Sequence, residues 1–270
     1  MPTLNIAHRG GAALMPENSL SAFRNAIALG ADGAELDVQL SADGVAVVHH
    51  DLRLNPGYTG KDGVWLDGVS PRIKDLSLAE LQRFDIGRAR PGSDYATKHL
   101  LQAAAGGERI PRLADVVALA KAAPDFRLLV ELKCDLSDDS ADPVALADTA
   151  LTVVEEAGFL SRALFVGFDW RALTRVKQQQ PKAEVWCTTD ENVAGEARLF
   201  EIIKGLGGAG WFPHFSSLTN DAAALARTYG FRLAAWTVDD AAEMRREIAL
   251  GLDAICTNRP DLLQALEQRG

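Results

Sequence analysis

Short β-rich runs alternate with Ala- and Leu-rich helical stretches almost from one end of this chain to the other, and that alternation restricts the folds open to it. The candidate strands are residues 4–8, 34–38, 127–133, 163–168, 184–188, 209–213, 232–238 and 253–257, eight in all. The segments between them have apolar residues at helical spacing and readable ends. Residues 19–30 start after Asn18, stop at Gly30, and place Leu20, Phe23 and Ile27 on one face. A second helix, from 113, buries Val116, Val117 and Ala120, and a third caps on Asp239 or Asp240 and ends at Gly251. Ser77 to Glu80 reads as a capping box. Eight such repeats over about 250 residues describe a (β/α)8 TIM barrel, and the chain has 270 residues. An open doubly wound sheet would carry a GxGxxG fingerprint after its first strand; the glycines of HRGG, residues 8–11, lack that spacing. The expectation is an α/β fold, a single TIM-barrel domain over residues 1–270. Residues 52–111, rich in turn clusters such as Asn55-Pro56-Gly57 and Arg90-Pro91-Gly92, read as an insertion or small subdomain.

One pair of strands breaks the alternation. ELDVQL and VAVVHH are separated only by Ser41-Ala42-Asp43-Gly44. A parallel crossover needs about a dozen residues or more, so these two runs form a hairpin after strand two. If Leu40 faces Val45, Glu35 lies opposite His50 and Asp37 opposite Val48. Glu35, Asp37 and His50 then project from one face and His49 points away.

Net charge is −9, which is not the footprint of a protein that binds nucleic acid or docks on anionic membranes. An anionic substrate would need a local positive site working against that global field. Cys134, Cys187 and Cys256 are odd in number, widely spaced and free of any CxxC pair, which argues against a disulfide framework or a zinc site. The N-terminal residues lack a basic region followed by a long apolar run, and no segment has eighteen uninterrupted apolar residues. The sequence therefore reads as a cytoplasmic protein without stable membrane anchoring.

Barrel enzymes place chemistry at the C-terminal ends of their strands. There the first strand ends in His8-Arg9, the second carries Glu35 and Asp37, the hairpin returns His50, the third carries Glu131 and Lys133, and the seventh ends in Trp236. Three inward carboxylates would cost several kcal/mol each unless paired. Converging, they form the oxygen-rich site that a hard divalent cation prefers. Two histidines suit proton transfer near neutral pH, and Arg9 and Lys133 suit a phosphate. Together these groups describe phosphodiester cleavage.

On these residues the chain resembles the glycerophosphodiester phosphodiesterase family, a relative of the phospholipase C-like phosphodiesterase barrels. The matching stretches are HRGG with PENSLSAF (8–23), GADGAELDVQLSADGVAVVHHD (30–51), ERIPRLADVV (108–117), LVELK (129–133), WTVDD (236–240) and GLDAICTNRPDLL (251–263). They run in order over nearly the whole length. The resemblance implies a barrel that needs one Ca²⁺ or Mg²⁺ and hydrolyses small-molecule glycerophosphodiesters to sn-glycerol 3-phosphate and an alcohol. It also implies attack by the glycerol 2-hydroxyl to give a cyclic phosphate that water opens. By the same resemblance His8 and His50 are the histidine pair, Arg9 binds phosphate, Glu35, Asp37 and Glu131 hold the metal, and Lys133 is the active-site lysine. Glu17 and Asn18 match the PEN motif. Two stretches depart from the pattern: GFDW (167–170) stands where many members have a serine before the Phe, and Asn258 stands where an Asp is common.

Plainer readings exist for several of these residues. Asn18 can be the N-cap of the helix that follows, and Glu17 can complement that helix's positive end. Lys133 can be the counter-ion of Glu131. Trp236 reads as a packing residue with a rim role, lining the glycerol pocket. His49, His99, His214 and the cysteines are given no chemical role. Two alternatives share the barrel: a lysophospholipase D-type phosphodiesterase, with the insertion choosing the leaving group, and a phospho-ligand binding module without turnover.

Overall fold

The computed structural model describes residues 2–134 and 142–267. Its strands are β1 (Leu4–Ala7), β2 (Gly33–Leu40), β3 (Ala46–Val48), β4 (Gly60–Lys61), β5 (Val64–Trp65), β6 (Arg127–Leu132), β7 (Ala163–Gly167), β8 (Glu184–Thr189), β9 (Gly210–Pro213), β10 (Arg232–Ala235) and β11 (Ala254–Thr257). The helices are α1 (Leu20–Ala28), α2 (Leu78–Leu81), α3 (Asp94–Lys98), α4 (Leu113–Ala122), α5 (Pro143–Glu156), α6 (Trp170–Gln179), α7 (Ala197–Gly205), α8 (Asn220–Thr228), α9 (Ala241–Ala249) and α10 (Pro260–Glu267). β1, β2 and β6 to β11 pair in parallel, and the β1–β2 and β1–β11 pairings close them into a TIM barrel. These eight strands are the eight apolar runs of the sequence. Among the described residues no helix is long and apolar enough to cross a membrane.

Two apolar layers follow from strand alternation. Ile6, Leu129, Leu164, Trp186, Ala254 and Cys256 fill the barrel interior. Outward-facing residues such as Leu36, Val130 and Phe165 meet Phe23, Val117, Leu146 and Leu173 of the surrounding helices. Each fully buried Leu, Val or Phe contributes about 1.5–3 kcal/mol. That layer fixes the barrel on which the polar strand ends are mounted.

β3 is the antiparallel edge, and its register differs from expectation by one residue. Leu40 faces Ala46 and Val38 faces Val48. The cause is the loop: Ser41 N–H donates to Val45 O, and Gly44 takes φ +74°. A loop closed this way has three residues and a left-handed glycine, a geometry that sets the pairing. Ser41 Oγ accepts from Val45 N as well. Glu35 therefore does not lie opposite His50. His50 reaches the barrel mouth because the chain leaves the strand after Val48.

Residues 52–111 contain the β4–β5 hairpin, α2 and α3, and an apolar cluster built from Leu54, Tyr58, Ile73, Leu81, Phe84, Ile86 and Ile110. The cluster includes Val47 of β3, so this segment is packed against the hairpin edge. Ser77 and Glu80 do form the reciprocal capping box.

Candidate active site

The barrel mouth opens where β1 turns into α1. After Ala7, the chain runs through Arg9, Gly10 and Gly11 at φ +51°, +81° and +94°. A Cβ on Gly10 would lie 2.7 Å from Ala22 Cβ, so only glycine lets this turn seat on α1. Arg9 takes the same left-handed region at a cost of order 1 kcal/mol, and its backbone N–H donates to Glu35 Oε2 at 3.0 Å.

Strand alternation brings Glu35 and Asp37 of β2 to the inner face, and β6 pairs Asp37 directly with Glu131. One oxygen from each of the three carboxylates lies within 4.8 Å of the others, and all three residues are buried. Burial, and then the charges of Asp37 and Glu131, push the Glu35 carboxyl well above the usual carboxylate range. Glu35 Oε1 is buried with no hydrogen-bond partner among the described residues. Burial also works against charge on Asp37, but Lys133, His50, Arg9 and the Asn18 amide together pull it well below that range. An all-carboxylate cluster with an orphaned inward oxygen fits a hard divalent cation.

Lys133, one residue past β6, lies 2.6 Å from Glu131 Oε1 and 3.4 Å from Asp37 Oδ1. Burial opposes its charge, yet Glu131 and Asp37 hold it more firmly protonated than a free lysine. Arg9 is balanced the same way: Glu17, Asp37 and Glu35 outweigh its burial.

A cavity of about 130 Å³ at the mouth is lined by His8, Arg9, Glu35, His50, Glu131 and Lys133, with Phe168, Phe212 and Trp236 as its apolar wall. Phe168 and Trp236 pack edge to face, 5.5 Å apart. Trp236 Nε1 is buried without a hydrogen-bond partner among the described residues. Trp211, by contrast, points outward into the helix layer against Phe200. Asp37, Glu17 and Asn18 do not line the cavity; they contact residues that do or one another.

Asn18 is not the helix cap. Ser19 caps α1 through its side chain, and Asn18, at φ +55°, donates from Nδ2 to Asp37 Oδ2 at 2.8 Å. Glu17 does not serve the helix end either; its Oε1 accepts from Arg9 Nη1 at 3.0 Å. The PEN stretch thus braces the cavity from behind.

Each cavity histidine is held by Nδ1. His50 Nδ1 lies 2.7 Å from Asp51 Oδ1, and His8 Nδ1 lies 2.8 Å from Asn258 Oδ1. Burial and the neighbouring Arg9 hold the His8 imidazole down at about 3. The Asp51 carboxyl sits at about 2, because the His50 and Asn55 hydrogen bonds outweigh its burial. His49 faces Tyr58 instead, away from the cavity.

Three contributors have no role assigned from the sequence: Asn258 and Phe168 stand there only within departures from the family pattern, and Tyr95 is not singled out. Asn258 and Phe168 follow the ends of β11 and β7, so the strand-end rule could have found them. Tyr95 of α3 carries no local signal. Its hydroxyl donates to Glu17 Oε2 at 2.9 Å and accepts from Gln102 at 3.0 Å.

Residues 8–262 match the model of the glycerophosphoryl diester phosphodiesterase family. A glycerophosphodiester phosphodiesterase of Caldanaerobacter subterraneus subsp. tengcongensis is 30% identical over 270 residues, 100% of both chains. One from Bacillus subtilis is 26% identical over 98% of this chain and 86% of that protein. Among solved structures, a Silicibacter pomeroyi protein assigned as a glycerophosphoryl diester phosphodiesterase superposes with a TM-score of 0.92 at 29% identity, covering 99% of this chain and 94% of that one. An Oleispira antarctica phosphodiesterase, solved with its product sn-glycerol-3-phosphate, shares the fold with a TM-score of 0.79 at 24% identity, over 99% of this chain and 97% of that one.

Proposed function

The chain belongs to the glycerophosphoryl diester phosphodiesterase family, whose members hydrolyse glycerophosphodiesters, and from that membership we propose that it releases sn-glycerol 3-phosphate and an alcohol through a cyclic phosphate. The observation that carries this reading is the convergence of His8, Arg9, Glu35, His50, Glu131 and Lys133 on one small cavity. Glu35, Asp37 and Glu131 would hold Ca²⁺ or Mg²⁺, which supplies charge stabilisation at the phosphoryl oxygens when bound.

Arg9 and Lys133 bind the phosphate with fixed positive charge. Trp236, with Phe168 and Phe212, walls the glycerol moiety, and Glu17 and Asn18 hold Arg9 and Asp37 in place. His8 is the general base of the first half-reaction. In support, its Nδ1 faces a neutral amide and its imidazole is uncharged near neutral pH. His8 Nε2 takes the proton of the glycerol 2-hydroxyl as that oxygen bonds to phosphorus. The phosphorus–alcohol bond breaks, and His50 protonates the departing oxygen. Asp51 Oδ1, 2.7 Å from His50 Nδ1, orients that ring for this step. In the second half the roles reverse: His50 takes a proton from the attacking water and His8 returns one to the glycerol oxygen.

Glycerophosphocholine turnover, with and without EDTA, tests the reading. Turnover that survives chelation removes the metal from it. Turnover that survives both His8→Ala and His50→Ala removes the acid–base pair, and tight diester binding without turnover would mark a binding module instead.

A further inference from the structure

Trp236 stands level with the groups to which the chemistry is assigned. Ile6, Leu129, Trp186 and Ala234 point into the barrel interior from β1, β6, β8 and β10, every second strand around the barrel. Two residues further along each strand, period-two alternation returns His8, Glu131, Thr188 and Trp236 to the same side. The parallel bridge between His214 and Trp236 carries the β9–β10 pairing past the end of β10, so the alternation holds there. Three barrel strands separate β6 from β10 in either direction, which sets Trp236 across the mouth from Glu131. Two rings hold the indole edge to face: Phe168 at 5.5 Å and 89°, and His214 at 5.2 Å and 82°. Other indoles are satisfied within the chain. Trp170 Nε1 donates to Thr188 O at 3.2 Å, Trp186 Nε1 to Glu184 Oε1 at 3.0 Å and Trp211 Nε1 to Thr189 Oγ1 at 2.9 Å. Trp236 Nε1 is buried and has no such partner among the described residues. An unpaired buried N–H is costly, and native structures pair nearly all of them with protein, water or ligand. Trp236 lines the catalytic cavity, so that is the side from which an acceptor reaches it.

Resting on the phosphodiesterase reading above, we propose that the Trp236 indole N–H donates to the terminal hydroxyl of the substrate's glycerol and so selects diesters that carry that hydroxyl free. The glycerol moiety has two hydroxyls. The 2-hydroxyl is the nucleophile at His8, and Trp236 belongs to the same layer as His8, on the next strand but one around the barrel. The terminal hydroxyl, one carbon further on, meets the wall of Phe168, Phe212 and Trp236, where the indole N–H is the polar group. An indole N–H only donates, which suits a hydroxyl oxygen. A substrate without that oxygen leaves the buried donor unpaired, and a site built in this way rejects it. Holding the terminal oxygen also fixes rotation about the bond to the 2-hydroxyl carbon, which aims the nucleophile at phosphorus.

Glycerophosphocholine and its 1-deoxy analogue, which lacks the terminal hydroxyl and keeps the attacking one, make the test. With Mg²⁺ or Ca²⁺ supplied, wild-type kcat/KM favours glycerophosphocholine by at least about tenfold. W236F keeps an aromatic wall and removes the donor, and in it the ratio of the two kcat/KM values falls toward unity. A merely structural role for Trp236 would lower both substrates alike and leave the ratio intact. A wild-type ratio near unity, or a ratio that survives in W236F, overturns the inference. In the wild type, the Trp236 indole N–H proton resonance moves downfield with sn-glycerol 3-phosphate and not with its 1-deoxy analogue, a readout that stands even where W236F does not fold. Equal shifts with the two ligands overturn the inference. If the wild type turns over neither diester, the phosphodiesterase reading fails by itself. Calorimetric binding of the same pair then decides the Trp236 contact: preference for glycerophosphocholine sustains it and equal affinity overturns it.

Discussion

His8 Nδ1 lies 2.8 Å from Asn258 Oδ1, and the amide nitrogen of the same Asn258 donates to Asp239 Oδ2 at 2.8 Å. A carboxylate only accepts, so the amide group facing Asp239 is the NH₂ and the group facing His8 is the oxygen. The hydrogen on His8 therefore sits on Nδ1, and Nε2 is left as the acceptor nitrogen. Nε2 lies 3.8 Å from Glu35 Oε2 at the carboxylate cluster.

Asn258→Ala removes this tether while leaving every cavity-lining side chain in place. The ring loses both its fixed tautomer and its orientation. The expected result is a fall in kcat of about ten- to a hundredfold, a part of what general acid–base catalysis supplies, with a smaller change in KM. Steady-state kinetics on glycerophosphocholine check it, and an unchanged kcat would show that the tether does not matter.

Tyr95 supports Arg9, the proposed phosphate ligand, through Glu17. Its hydroxyl donates to one oxygen of Glu17 and Arg9 donates to the other. Tyr95→Phe removes one hydrogen bond worth about 0.5–1.5 kcal/mol, so Arg9 loses part of its support. KM for the diester is expected to rise about three- to tenfold, with kcat changed less. Glu17→Gln, which also removes the charge partner of Arg9, is expected to exceed that effect in the same assay.

Glu247 of α9 gives a pH test of stability away from the cavity. It is fully buried, Arg246 reaches its Oε1, and its Oε2 has no hydrogen-bond partner among the described residues. Burial, partly offset by Arg246, raises its carboxyl to about 7. The folded protein thus binds a proton that the unfolded chain releases near the ordinary glutamate value of about 4.5. Stability conferred by that proton is present below pH 4.5 and is lost as pH climbs to about 7. Glu247→Gln is expected to raise Tm at pH 8 by about 2–4 °C, with the gain fading toward pH 4.5. Thermal melts across that range measure it, and a gain equal at both ends would count against a titrating Glu247.

The barrel was legible because its signals are local. Each of the eight apolar runs became a barrel strand, and the helix ends at Gly30 and Gly251 follow from residues within one turn of the boundary. Asn18 misled as a cap because capping chemistry and cross-strand bracing use the same side-chain amide, and only the neighbouring Asp37 decides between them. The hairpin register misled for a related reason. Four intervening residues permit more than one pairing, and Ser41 with Gly44 selects the three-residue loop. His50 nonetheless reaches the cavity, because the strand ends at Val48 and the following backbone is free to turn inward.

By itself the sequence determined the alternation that closes a parallel barrel, and the residue types at its strand ends: His8, Arg9, Glu35, Asp37, Glu131, Lys133 and Trp236. Period-two alternation puts Glu35 and Asp37 on one face of their strand. The tertiary structure alone decided who supports them. Asn258 reaches His8 across 250 residues because β11 closes the barrel on β1, and Tyr95 reaches Glu17 across 78 because the 52–111 segment packs back against the barrel. Such contacts depend on strand closure and register, which no local pattern of residues encodes.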